Sequence, residues 1–252
     1  MNQIQSDLDR QKINNDYYHG LGQKWYGAQD DPIALLRAES KVRNQWVYET
    51  LMATTPTANV LDVGCGGGFL SNFLAAKGLT VTGLDLSKES LDVAHLYDHS
   101  QCAKYVYGDA YLLPFKDHSF QAVTCMDFLE HVSKPELVLK EISRVLKPGG
   151  SFFFHTFNRN WLAWLLVIKG VEWFVKNTPK DLHILEMFIK PSELKTMMDP
   201  LGLHVKDLRG LRPQLNSSFF RMLVKKEVDE NFKFTWTRST LMSYTGWAQK
   251  DC

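Results

Sequence analysis

The chain has 252 residues, 44% hydrophobic and 12% aromatic, which is enough for one large core, and one domain with an insertion is expected rather than two. A net charge of +1 gives no basis for general nucleic-acid affinity or a polybasic lipid clamp, and no apolar run is long enough to span a bilayer. Cys65, Cys102, Cys125 and Cys252 show no C-x-x-C and no metal spacing, which fits a reduced, cytosolic setting, and the polar, mixed-charge start Met1–Arg10 has no signal-peptide character.

Residues 1–50 read as a polar helical cap carrying Tyr17, Tyr18, Trp25 and Tyr26. Asp31-Pro32 opens a helix whose apolar face is Ile33, Leu35, Leu36, Val42, Trp46 and Val47. Such a segment closes over a cleft or simply packs; Arg37 and Arg43 are its cations able to meet a carboxylate. The remaining residues, 51–252, form the main domain.

Val60–Gly68 reads V-L-D-V-G-C-G-G-G: a short apolar strand, a glycine-dense turn, then an amphipathic helix from Phe69. Gly64, Gly66 and Gly68 permit positive φ and close approach of a ligand. The dinucleotide fingerprint G-x-G-x-x-G fails, because Phe69 stands at its sixth position counted from Gly64 and Ser71 counted from Gly66. What stands instead is D-x-G-x-G-x-G, with Asp62 at the strand end, suited to a ligand with an ammonium group and no phosphate.

Beyond it, apolar strands alternate with helices. Strands are predicted at 58–64, 79–85, 104–109, 122–126 and 151–157, and helices at 67–77, 88–97 and 135–146, which makes a parallel, doubly wound α/β sheet. Ligands of such sheets bind beyond the carboxyl ends of the strands. The second strand ends in Asp85, about twenty residues past the loop, where an acid binds ribose hydroxyls. Leu86 beside it can cover adenine, and Ser87 caps the next helix. The third ends in Gly108-Asp109-Ala110, where Asp109 can accept an adenine amino group or merely shape a turn.

The fourth strand runs through Met126 into Asp127-Phe128-Leu129-Glu130-His131. On a helical turn Asp127, Glu130 and His131 share a face at i, i+3 and i+4. That set suits Mg²⁺ or another divalent ion, or a general base positioned by an acid, or only local backbone bonding. Lys147-Pro148-Gly149-Gly150 is expected as a turn before the fifth strand. Residues 203–209 and 241–248 read as two more strands, joined by a charged, aromatic linker around residues 221–236.

Asp62–Gly68 resembles the first motif of class I S-adenosylmethionine-dependent methyltransferases, and L-P-F…D-x-S-F at 113–120 is similar to the same class. With V-T-G-L-D, V-T-C-M-D-F-L-E-H-V, T-F-N-R-N at 156–160, P-K-D-L-H at 179–183 and F-I-K-P at 188–191, the chain resembles the ubiquinone-biosynthesis O-methyltransferases over roughly residues 58–211. The resemblance implies a mostly parallel seven-stranded sheet, S-adenosylmethionine as cofactor, and a polyprenylated phenol or catechol as methyl acceptor. It carries cofactor contacts onto Gly64, Asp85 and Met126, with Ala110 beside Asp109, and aligns an N-terminal arginine with Arg43. It places a divalent metal on Asp127, Glu130 and His131, the first being one methylene shorter than the usual Glu. Either a metal held there lowers the acceptor's pKa, or His131 or His183 takes the acceptor's proton directly.

The chain departs from the family pattern on the acceptor side. It lacks N-P before the arginine, reads His183-Ile184 for His-Asp and Gly210-Leu211-Arg212-Pro213 for G-x-x-Y-N-P, and has His155 for a small hydroxyl residue. The insertion, about 158–190, is expected as a substrate lid. Its run 161–168, extended by Trp173, Phe174 and Val175, either lies against a membrane surface, as the family's peripheral association implies, or packs over the pocket or a dimer contact. Two other readings stay open: the same fold acting on another small aromatic metabolite, and a catalytically silent cofactor-binding scaffold in a biosynthetic complex.

Overall fold

The structure, a computed structural model, describes residues 15–56 and 58–252. The expectations for Met1–Arg10 lie outside the described residues. Two short helices, α1 (Asp16–His19) and α2 (Lys24–Gly27), precede a long one, α3 (Ile33–Thr54). No breaker interrupts α3 before Thr55-Pro56, so it runs past residue 50.

The alternation that follows is as expected: β1 (Asn59–Val63), α4 (Phe69–Ala76), β2 (Thr80–Asp85), α5 (Lys88–Leu96), β3 (Lys104–Tyr107), β4 (Phe120–Met126), α6 (Pro135–Val145) and β5 (Leu146–Phe157). Helix α4 starts two residues later than expected because Gly68, at φ +81°, is left-handed and cannot be helical. Strand β3 stops at Tyr107, where the Gly108 N–H turns to the Asp85 carbonyl. Ser87 caps α5 by accepting from the Ser90 N–H, as expected. The Lys147–Gly150 segment does not precede β5 but bulges within it: Leu146 pairs with Phe120, and Ser151 pairs with Ala122.

After β5 come a helical segment over residues 161–174 (α7), with a π stretch at Trp164–Lys169, then α8 (Pro191–Met198), β6 (Leu203–Pro213), α9 (Ser217–Lys225), β7 (Phe234–Thr237) and β8 (Ser243–Lys250). The strand order is β3-β2-β1-β4-β5-β8-β6-β7, parallel from β3 to β5 and antiparallel beyond. The sheet thus has eight strands, not seven. Strand β7 pairs with the end of β6 inside the stretch read as a linker, and α9 also falls there.

Both faces of the sheet are buried. Leu61, Val63, Val123, Cys125, Phe152 and Phe154 face α6 and α8, while Val60, Val81, Ala122 and Phe153 face α3 and α4. Strand order reverses between β1 and β4, so a crevice opens where their carboxyl ends diverge. All four cysteines are free thiols, with Cys65 and Cys125 buried.

Candidate functional site

The crevice begins at the glycine loop. Gly64, Gly66 and Gly68 have φ of +70°, +51° and +81°, so all three occupy the backbone region that favours glycine. A Cβ on Gly64 would sit 2.3 Å from the Phe128 ring, and one on Gly66 would sit 2.5 Å from the Trp25 ring. Helix α2 therefore lays Trp25 directly over the loop. Tyr26 reinforces this by donating to the Gly67 carbonyl at 2.9 Å and stacking on Tyr97 at 3.8 Å. Arg37 donates to the Trp25 and Ala28 carbonyls, capping the end of α2 instead of meeting a carboxylate.

The acids expected here line this cavity. Asp85 accepts the Gly66 N–H on Oδ2 and the Ser87 N–H on Oδ1, both at 2.8 Å, so the loop and the α5 cap fix its carboxylate. Asp109 accepts the Tyr111 N–H in a tight turn. Leu86, Gly108, Ala110 and Met126 complete the wall. Asp62 is 3% exposed, and hydroxyls hold both its oxygens: Ser71 at 2.7 Å and Thr124 at 2.6 Å. It ties β1, α4 and β4 together at the crevice floor, and burial raises its pKa to about 6.

Arg43 and Asp127 were expected in separate roles, and the structure pairs them. Arg43 is 2% exposed and grips Asp127 with both guanidinium arms, Nη1 to Oδ1 at 2.8 Å and Nη2 to Oδ2 at 2.5 Å. Although burial opposes it, the Arg43 charge beside Asp127 holds that carboxyl below the usual range.

The acid–acid–histidine set expected at Asp127, Glu130 and His131 does not form. Asp127 takes φ +52°, and a 3₁₀ turn begins only at Leu129, so the helical spacing argument fails. Glu130 is fully buried and accepts from Thr156 Oγ1 at 2.8 Å; burial, then the Asp127 charge, lifts its pKa to about 8. His131 turns Nδ1 to Asn15 Oδ1 at 3.1 Å and Nε2 to Tyr18 Oη at 3.4 Å. These three residues do not fit a shared cation.

A second cavity, of about 470 Å³, adjoins the first across Tyr18, Leu36, Asp127 and His131. Its lining is mainly apolar. Leu35 comes from α3, Val167, Val171 and Phe174 from α7, and Phe219 and Phe234 from α9 and β7. His183 lies on its wall, 5.4 Å ring to ring from His131. Burial keeps both imidazoles neutral, lowering His131 to about 3 and His183 to about 4. Segment α7 thus puts one face on the cavity while Trp161, Trp164 and Trp173 remain exposed on the other.

Sequence reasoning missed Glu39 and His155 as site residues. Glu39 is on the wall of the second cavity, with a pKa raised to about 7 by burial. His155 is fully buried behind it, and Thr245 Oγ1 lies 2.6 Å from its Nδ1. The sole signal was His155 replacing a small hydroxyl residue; Glu39 gave none.

Residues 61–154 match a methyltransferase domain family. The ubiquinone biosynthesis O-methyltransferase of Pseudomonas putida (strain GB-1) is 35% identical over 230 residues, covering 90% of this chain and 96% of that protein. The protein of the same name from Coxiella burnetii (strain CbuK_Q154) is 34% identical over 215 residues, covering 84% and 89%. Among solved structures, a methyltransferase from Bacillus halodurans C-125 superposes with a TM-score of 0.57 at 22% identity, covering 84% of this chain and 98% of that one. An S-adenosylmethionine-dependent methyltransferase from Thermotoga maritima superposes with a TM-score of 0.59 at 18% identity, covering 98% and 100%. Those two establish the fold; the closer relatives establish the family. The chain is an S-adenosylmethionine-dependent methyltransferase and belongs to the ubiquinone biosynthesis O-methyltransferase family.

Proposed function

We propose that the chain transfers the methyl group of S-adenosylmethionine to an oxygen of a phenol or catechol carrying a polyprenyl tail, a precursor in ubiquinone biosynthesis. The observation that carries this reading is the large apolar cavity that meets the loop-side cavity at Asp127 and His131. An apolar tail fits its lining, and a ring hydroxyl at the junction would face the cofactor's methyl group. Relatives named ubiquinone biosynthesis O-methyltransferase, 34–35% identical, support the acceptor class.

In this reading Asp85 takes the ribose hydroxyls, Leu86 covers adenine, and Asp109 with Ala110 meets its amino edge. Gly64, Gly66, Gly68 and Met126 shape the methionine side, with Asp62 beneath. Arg43 acts through Asp127, holding that carboxylate at the junction. The methyl is already activated as a sulfonium, so in-line alignment supplies much of the acceleration. His131 and His183, both neutral, offer lone pairs to the departing hydroxyl proton, though their low pKa values make them weak bases. The exposed tryptophans of α7 suit contact with the membrane surface that would hold such an acceptor.

Initial rates with a tailless catechol and with the same catechol carrying a prenyl tail test the acceptor class. Each buried methylene contributes about 0.8 kcal/mol, so one isoprene unit should lower KM about tenfold or more. Equal KM values would point to another small aromatic acceptor. Methyl transfer to neither compound would favour the silent scaffold.

A further inference from the structure

We propose that Glu39 is the base that takes the acceptor hydroxyl's proton, and that His155 positions it. Glu39 comes from α3 and lines the second cavity beside Asp127 and His131, the residues at which that cavity meets the loop-side one. One of its carboxylate oxygens lies within 4.8 Å of an Asp127 oxygen. A ring hydroxyl at this junction, in the proposed acceptor class on which the inference rests, therefore has the Glu39 carboxylate beside it.

The two acids at the junction differ in what holds them. Arg43 grips both Asp127 oxygens and, against burial, keeps that carboxyl below the usual range, so Asp127 is a poor proton acceptor. Arg43 lies one turn along α3 from Glu39, yet both its arms turn to Asp127. Among the described residues no lysine or arginine pairs with Glu39. Burial raises Glu39 to about 7, the Arg43 charge opposing the rise and the Asp127 charge adding to it. On the rest of the wall His131 and His183 are neutral, burial raises the Tyr18 phenol, and Arg212 is exposed. A carboxylate at about 7 matches a phenolic proton far better than imidazoles at about 3 and 4.

A second observation lies behind Glu39. His155 is 0% exposed, yet its Nε2 has no hydrogen-bond partner; Glu39 Oε1 and Asp127 Oδ1 each stand 3.5 Å away. Facing two carboxylates, Nε2 carries the ring proton, and Nδ1 accepts from the Thr245 hydroxyl at 2.6 Å. The N–H thus steadies Glu39 from the buried side and leaves its remaining lone pairs to the cavity. Such bonds are often long before the acceptor arrives. In the reaction the acceptor O–H bond breaks and its proton passes to a Glu39 oxygen. The oxygen's electron pair forms the new O–C bond as the S–C bond of the sulfonium breaks, that pair staying on sulfur. Glu39 then releases the proton to water through the cavity.

The test is steady-state kinetics of the full chain on a plain catechol and on nitrocatechol, the latter above its own pKa, where its hydroxyl is already ionised. On the plain catechol Glu39→Gln, checked for folding by circular dichroism, should lower kcat about 100-fold or more with KM little changed. It should also remove the limb over which wild-type kcat/KM rises through about pH 7. On ionised nitrocatechol the same variant should turn over near the wild-type rate, and Glu39→Asp should recover part of the lost kcat on the plain catechol. His155→Asn should move the limb to higher pH, because the carboxylate loses the N–H facing it; a purely structural role would lower the rate without moving the limb. Full activity of Glu39→Gln on the plain catechol, or an equal loss on both acceptors, overturns this inference alone. A wild-type chain inactive on both catechols overturns the acceptor reading and this inference with it. Should Glu39→Gln not fold, wild-type crystals with catechol and S-adenosylhomocysteine decide. A hydroxyl within about 3.2 Å of Glu39 supports the inference, and one bonded only to His131 or His183 overturns it.

Discussion

Glu130 and the three histidines around it set opposite trends in how stability depends on pH. Burial raises Glu130 from 4.5 to about 8, Glu39 from 4.5 to about 7 and Asp62 from 3.8 to about 6. A group with a raised folded pKa binds more protons folded than unfolded, so its contribution is full at low pH and is lost as pH rises through the folded value. His131 and His155, lowered to about 3, and His183, lowered to about 4, act oppositely: stability returns as pH rises towards their ordinary 6.5. The two sets oppose each other between about pH 3.8 and 6.5. Above 6.5 the carboxyl groups dominate, and stability should fall by up to about 1.4 kcal/mol per pH unit for each one titrating. Thermal melts from about pH 6.5 to 8.5 should therefore show a shallower decline for Glu130→Gln than for the wild type. Parallel curves would mean that Glu130 is ionised in the fold. None of this was visible in the sequence, where Glu130 read as a metal ligand, an acid positioning a base, or a local backbone partner on a helical turn. Its burial depends on Thr156, 26 residues away on β5. The Arg43–Asp127 pair was equally hidden, since it joins residues 84 apart.

Among the elements, the glycine loop was the most legible, because its residue types are dictated by backbone geometry. Gly64 couples two costs: φ +70°, and a Phe128 ring 2.3 Å from any added Cβ. Gly64→Ala should lose about 1–3 kcal/mol of stability in urea titrations from backbone strain. Displacing Phe128 should also shift its neighbour Asp127. Wild-type stability in Gly64→Ala would show that the loop relaxes freely and that its left-handed turn is not enforced. Helix α9 and strand β7 were less legible, though part of their signal was present. Asn216 caps α9 by accepting the Phe219 N–H at 3.0 Å, and Phe219, Met222 and Leu223 repeat at helical spacing. The interrupting charges Arg221, Lys225 and Lys226 masked that period. Strand β7 is only four residues long and is specified by pairing with β6, not by its own pattern.

For the whole molecule, the alternation of strands and helices pointed to a parallel, doubly wound sheet with its ligand beyond the carboxyl ends of the strands, and the strand order places the crevice between β1 and β4. That is why Asp85 and Asp109, at or just beyond strand ends, could be picked out from the pattern, while Ala110 and Met126 came with the family resemblance; all four line one cavity. The second, apolar cavity was not accessible in this way. It is assembled from α3 and, more than a hundred residues later, α7, α9 and β7, and no local spacing marks its wall. Among the described residues no helix is long and apolar enough to cross a membrane.

The crevice between the glycine loop and Asp85 is the proposed seat of the nucleoside. Calorimetric titration of S-adenosylmethionine into the wild-type chain and into Asp85→Asn tests it most directly. One molecule should bind per chain, and losing a charge-assisted hydrogen bond of about 1.5–3 kcal/mol should weaken binding about tenfold or more in the variant. Unchanged affinity in Asp85→Asn, with the fold intact, would contradict the placement of the cofactor.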